Sequence, residues 1–189
     1  MTVDESVAML TAKGLTVTRR DFSTEREYYA SLGWPTRHAK DHPVTLLTAE
    51  NPHHAKHLRF QWNHENGGSR LYDMAFGDYD YELFIMDATD EGGWEWLGEM
   101  VDEVLRGDIH VINCTNARTG KWVADACFTR SDDPYMDNMD EYADALALLR
   151  KRDASRFHPF GRNTKYEIYS WDSYECIVVE KHHIERNPP

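Results

Sequence analysis

The stretch NPHHAKHLRFQWNHENGGSRLYDMAF, residues 51–76, decides how this chain is read. It carries His53, His54, His57 and His64 within twelve residues. A helix over 51–65 would bring His53, His57 and His64 to one face, where neutral imidazoles can hold a transition metal. The intervening residues do not keep a helical period. Leu58, Phe60 and Trp62 alternate with Arg59, Gln61 and Asn63, which is the two-residue period of a strand, and the apolar members are β-formers. Asn66-Gly67-Gly68 follows, and Asn and Gly accept the positive φ that a hairpin turn needs. Tyr72, Met74 and Phe76 then continue the alternation on a returning strand. As a strand, the segment places His57 and His64 at opposite ends and on opposite faces, over about 20 Å apart at ~3.3 Å per residue. No HExxH pattern accompanies them. The expectation is no metal at His53, His54, His57 and His64, and no cofactor.

The same reading extends outward. Gly77-Asp78 turns the chain into a third strand over 79–87, completing a meander. Upstream, Thr2 and Glu5 have capping-box spacing ahead of the stripe Val3, Val7 and Leu10, and Gly14 ends that helix. LTVTR (15–19) and Val44–Thr48 read as strands, with a short helix between them from Ser23 or Thr24 to about Leu32. Downstream, Trp94, Leu97, Val101 and Val104 have helical spacing, and Gly107 follows as a cap. A hairpin is predicted from Ile109–Cys114 and Lys121–Thr129. A helix is predicted over 138–152 on the stripe Met139, Tyr142, Leu146 and Leu149. A final hairpin joins Lys165–Ser170 to Tyr174–Glu180. Hairpins without regular βαβ alternation predict an α+β fold. The expected sheet is mostly antiparallel, with strands in mainly sequential order and helices packed on one face. The 189 residues are expected to form a single domain, 1–189, since a domain takes roughly 150 residues.

Charge narrows the function. The net charge is −12. Residues 71–149 hold 19 Asp or Glu against 4 Lys or Arg, while the rest of the chain holds 14 against 17. Such a chain repels phosphate backbones and anionic lipid, which argues against general nucleic-acid binding and membrane association. There is no apolar run of about 18 residues. The start, MTVDESVAML, has acids where a secretory signal has bases, so a cytoplasmic location is expected. Cys114, Cys127 and Cys176 form no CxxC pair, and no GxxxxGK[ST], GxGxxG or GxSxG motif occurs.

Three constellations remain. Glu95, Glu99 and Asp102 fall at i, i+4 and i+7 on the helix after the meander. Asp132 and Asp133 open the run SDDPYMDNMDEYAD, in which aromatic and Met residues are interleaved with acids, as in a protein interface. Solvation of a polar helix face accounts for many such acids without any partner. In the hairpin of 109–129, pairing Cys114 with Lys121 would set His110 opposite Asp125, the orienting half of a triad, beside the Cys114 and Cys127 thiols. The first reading is an acidic binding or regulatory protein, such as an immunity-type antidote that masks a basic partner. Glu95, Glu99, Asp102, Asp132 and Asp133 would form its docking region. The alternatives are a small hydrolase with a carboxylate or His/carboxylate site, metal-assisted or not, and a subunit of a larger assembly.

Overall fold

The computed structural model describes residues 1–81, 91–129, 163–180 and 183–187. The fold is α+β. The chain divides into two compact units, Met1–Glu99 and Met100–Pro189. Each contains a five-stranded sheet in which every pairing is antiparallel.

In the first unit, helix α1 (Val3–Ala12) starts at the expected capping box. Glu5 N–H donates to the Thr2 hydroxyl, and Thr2 N–H donates to the Glu5 carboxylate. Strand β1 (Val17–Phe22), helix α2 (Glu25–Ser31, N-capped by Thr24) and strands β2 (Val44–Ala49), β3 (Leu58–Glu65), β4 (Gly68–Phe76) and β5 (Tyr79–Tyr81) follow. The strands lie in the order β1-β2-β3-β4-β5. Residues 58–65 are therefore strand, as their alternation requires. The turn that closes β3 on β4 is two residues, Asn66 (φ 53°) and Gly67 (φ 78°), with Gly68 already in β4.

One detail of the alternation differs from expectation. Tyr72 does not face inward with Met74 and Phe76; it is 40% exposed, and Leu71 is fully buried. Leu71 and Met74 are three residues apart, so regular pleating would put them on opposite faces. A register shift makes both inward: Gln61 pairs with Asp73, and Trp62 with Leu71, leaving Tyr72 as the extra residue of a β-bulge.

Register also separates the two faces of this sheet. Val44 pairs with Asn63 and Thr45 with Trp62, so Val44 and Trp62 point oppositely. On the Val44 face, Tyr28 of α2 packs edge-on against Phe22, with ring centroids 5.3 Å apart. On the other face, Trp94 stacks on Trp62 at 5.6 Å and 10° between planes. Trp94 belongs to helix α3 (Glu91–Leu105). Helices thus meet both faces of this sheet rather than one.

In the second unit, β6 (Ile109–Asn116), β7 (Trp122–Thr129), β8 (Thr164–Tyr169), β9 (Tyr174–Glu180) and β10 (His183–Asn187) lie in the order β10-β9-β8-β6-β7. Its core includes Val111, Ile112, Tyr166, Tyr169 and Ile177, all essentially without exposure. Strand β10 is an addition to the sequence expectation; it pairs antiparallel with β9, His183 opposite Glu180. The helix expected over 138–152 and most of the third strand expected over 79–87 lie outside the described residues.

Candidate functional site

The acidic helix comes first. α3 reads EGGWEWLGEMVDEVL, with five carboxylates and no Lys or Arg. Trp94, Leu97, Val101 and Val104 of this helix are buried. On the first-unit part of the helix, Glu95 and Glu99 are exposed. Trp96, beside Glu95, is 45% exposed. Asp102, seven residues on from Glu95, is half-buried. Asp132 and Asp133 lie outside the described residues.

The His110–Asp125 pairing does not form. Asp125 pairs with Asn113, and His110 pairs with Phe128. Cys114 pairs with Ala124 rather than Lys121, and a register shift after it makes Trp122 the partner of Thr115. Cys114 itself is buried, and burial pushes its thiol up to about 12, so it stays protonated and unreactive at neutral pH. The triad expected in this hairpin is absent for reasons of both register and chemistry.

The four clustered histidines separate as well. His53 is exposed, and its backbone N–H donates to the Asn51 side chain. His54 approaches the same Asn51 amide. His57 Nδ1 accepts from Asn51 N–H at 3.0 Å. Three of the four are thus tied into the loop before β3. Among the described residues, no group of three or more His, Cys, Asp or Glu is arranged to hold a metal ion.

His64 is different. Its Nδ1 lies 2.8 Å from Ser69 Oγ, and its Nε2 lies 2.8 Å from Thr45 Oγ1. Thr45 Oγ1 donates to Asp21 Oδ1 at 2.6 Å. Asp21 is braced by Arg19 Nε at 3.1 Å, and Arg19 also reaches Asp4. Strands β1 to β4 each supply one member of this chain. Thr45 pairs with Asp21 and Ser69 with His64, and His64 sits diagonally from Thr45, two residues past its partner Trp62. The two-residue turn is the signal that could have found it: once Asn66-Gly67 is the turn, Glu65 meets Gly68 and His64 must meet Ser69. Burial lowers the His64 pKa below its usual 6.5, and Arg19 and His42 act in the same direction against the pull of Asp21. The Thr45 hydroxyl, then Arg19, lowers Asp21.

A second polar group sits before β2. Glu25, 5% exposed, accepts from the Tyr29 hydroxyl at 3.2 Å and from Lys40 N–H at 2.7 Å. His42 Nδ1 is 3.2 Å from Glu65, and its Nε2 is 3.9 Å from Glu25. Burial, reinforced by Glu25, raises the Tyr29 phenol well above its usual range. On the α2 side of the sheet, Tyr28, Trp34, Leu46, Arg59, Gln61, Asp73 and Ala75 line a small concavity, partly open to solvent. Donors there are partly committed internally: Arg59 Nη2 donates to Gly77 O at 2.6 Å, and Gln61 Nε2 to Asn63 Oδ1 at 2.9 Å.

No described helix is long and apolar enough to cross a membrane. No family model, curated protein or solved structure matches the chain.

Proposed function

We propose that this protein is an acidic binding or regulatory protein of the cytoplasm. On this reading it docks a basic protein partner, in the manner of an immunity-type antidote that masks a basic toxin. The observation that carries this reading is the outward flank of α3, where Trp96 is 45% exposed beside the exposed Glu95 and within a turn of Glu99. Interfaces are enriched in Trp and place it where it can be desolvated, and here the indole stands among carboxylates. The surrounding carboxylates supply a field that attracts a basic surface and raises its association rate. Asp102 adds to that field, and on this reading Asp132 and Asp133 do as well.

Capture from the native host at low salt tests the proposal, with wild type and Trp96→Ala as paired baits. The reading expects a basic protein held at one-to-one stoichiometry by wild type and lost from the Trp96→Ala bait. A partner retained equally by both baits, or one that is itself acidic, would remove α3 as the docking element.

A further inference from the structure

We infer that Ser69 and His64 form a nucleophile–base pair able to cleave small carboxylic esters, with Thr45 and Asp21 as positioning residues. This is independent of the binding role of α3.

The hydrogen-bond directions follow from proton counting. Asp21, ionised, can only accept, so Thr45 spends its single hydroxyl proton on Asp21 Oδ1 at 2.6 Å. Thr45 Oγ1 then has only lone pairs for His64, so the contact at 2.8 Å requires a proton on His64 Nε2. A neutral imidazole protonated at Nε2 has its lone pair at Nδ1, and that atom faces Ser69 Oγ at 2.8 Å. Ser69 must therefore donate to His64. The tautomer is fixed by geometry, and it makes Nδ1 the base and Ser69 the group it deprotonates. This is the arrangement of an activated serine, with the roles of the two ring nitrogens exchanged and a threonine hydroxyl between imidazole and carboxylate.

Burial supports the same assignment. Thr45 is 2% exposed, which holds the middle of the relay away from competing water. His64 and Ser69 are half-buried beside the exposed turn Asn66-Gly67. The charged and titratable neighbours that act on His64 are Asp21, Arg19 and His42. The relay is continuous across four hydrogen-bonded strands, which hold it more firmly than loops would.

In the reaction, Ser69 Oγ adds to the ester carbonyl carbon while its proton passes to His64 Nδ1. The imidazolium that forms is stabilised through Nε2–H, Thr45 and Asp21. The tetrahedral adduct collapses, the C–O bond to the alcohol breaks, and His64 returns the proton to the departing oxygen. Water then attacks the acyl-Ser69 with His64 again as base. The carboxylic acid leaves and Ser69 is restored.

A fluorophosphonate probe on the full-length protein tests this, with adducts located by peptide mass spectrometry. The expected result is one adduct per chain, on Ser69, with none in Ser69→Ala. His64→Asn should slow labelling by about 100-fold or more, the usual contribution of a general base. Thr45→Val should slow it by about 10-fold, while Thr45→Ser retains the wild-type rate. A merely structural Thr45 would not distinguish its hydroxyl from its methyl in this way. The wild-type pH profile needs no variant to fold: labelling should rise with pH and level off, with its midpoint below 6.5. The absence of an adduct, an adduct elsewhere, a Ser69 adduct indifferent to His64→Asn, or a rate still climbing above pH 8 would overturn the assignment.

Discussion

The two sheets have five strands each, yet they are assembled differently. In the first, β1 to β5 neighbour one another in sequence order, so each strand pairs with the next along the chain. In the second, β8 bypasses β7 and pairs with β6, across the whole interval from 129 to 164. The consequence is an interior strand, second from the edge, of unusual character. From Ile109 to Cys114 every residue of β6 is buried, on both faces, including His110 and Asn113. Strand β3, the middle strand of the first sheet, is buried from Phe60 to Asn63. A strand between two neighbours has both edges hydrogen-bonded, but β6 reaches that position only through a long-range closure, which costs more chain entropy than a hairpin.

The largest test of this comparison is truncation of core side chains in the two interior strands β3 and β6. Trp62→Ala in β3 removes a fully buried indole stacked on Trp94 and should cost about 3–5 kcal/mol. Ile112→Ala in β6 should cost about 2–5 kcal/mol. Denaturant unfolding measures both, and hydrogen exchange locates each loss in its own sheet. Neither the Trp62 nor the Trp94 indole N–H has a hydrogen-bond partner among the described residues. Trp62→Phe, which keeps an aromatic ring and sheds an unsatisfied donor, should therefore cost much less than Trp62→Ala. A loss under ~1 kcal/mol in either alanine variant would show that its strand is not the centre of a core.

Turn glycines sharpen the comparison at the next scale. Gly67 in the first unit (φ 78°) has nothing within 4 Å of the site a Cβ would take, so Gly67→Ala should cost about 1 kcal/mol, for backbone strain alone. Gly107 in the second unit (φ 74°) faces Asp172 Oδ1 at 2.8 Å from that site, and Asp172 is held by the Ser170 hydroxyl at 2.7 Å. Gly107→Ala should cost about 2 kcal/mol, strain and overlap together. Equal losses in thermal denaturation would mean that Asp172 yields freely.

Strand existence was legible wherever apolar residues alternate beside turn residues, as in 58–65 before Asn66-Gly67. Alternation failed where a bulge adds a residue. Tyr72 fits the pattern of Met74 and Phe76 in sequence, yet Leu71 occupies the core. In the β6–β7 hairpin the turn closes with Asn116 against Lys121, and a shift beside Cys114 adds one residue more, so His110 faces Phe128, three residues past Asp125. A bulge is a backbone choice with no fixed residue signature, and one slip reverses every facing beyond it. The relay Asp21–Thr45–His64–Ser69 depends on three strand pairings at once, and composition carries no mark of it. The exposure of Trp96 is likewise a packing outcome, since Trp94 two residues earlier is buried.

A smaller effect distinguishes the two units by pH. His64 is lowered in the fold, so the unfolded chain binds its proton more readily. Stability from this group is full above the unfolded value of about 6.5 and is lost as pH falls through the lower folded value. Between pH 7.5 and 5.5 the first unit should weaken, and His64→Asn should flatten that slope. Denaturant midpoints at the two pH values check it; an unchanged slope would show that His64 does not couple folding to protons.

The most direct test of the binding account is the association rate of the basic partner with Glu95→Lys/Glu99→Lys/Asp102→Lys, measured by stopped flow across roughly 50–500 mM salt. The account predicts a rate in wild type that falls with salt, and a triple variant at least about 10-fold slower at low salt. Its stability should stay within about 0.5 kcal/mol of wild type for each exposed substitution. A rate indifferent to both salt and charge reversal would contradict the acidic flank of α3 as the surface that brings the partner in.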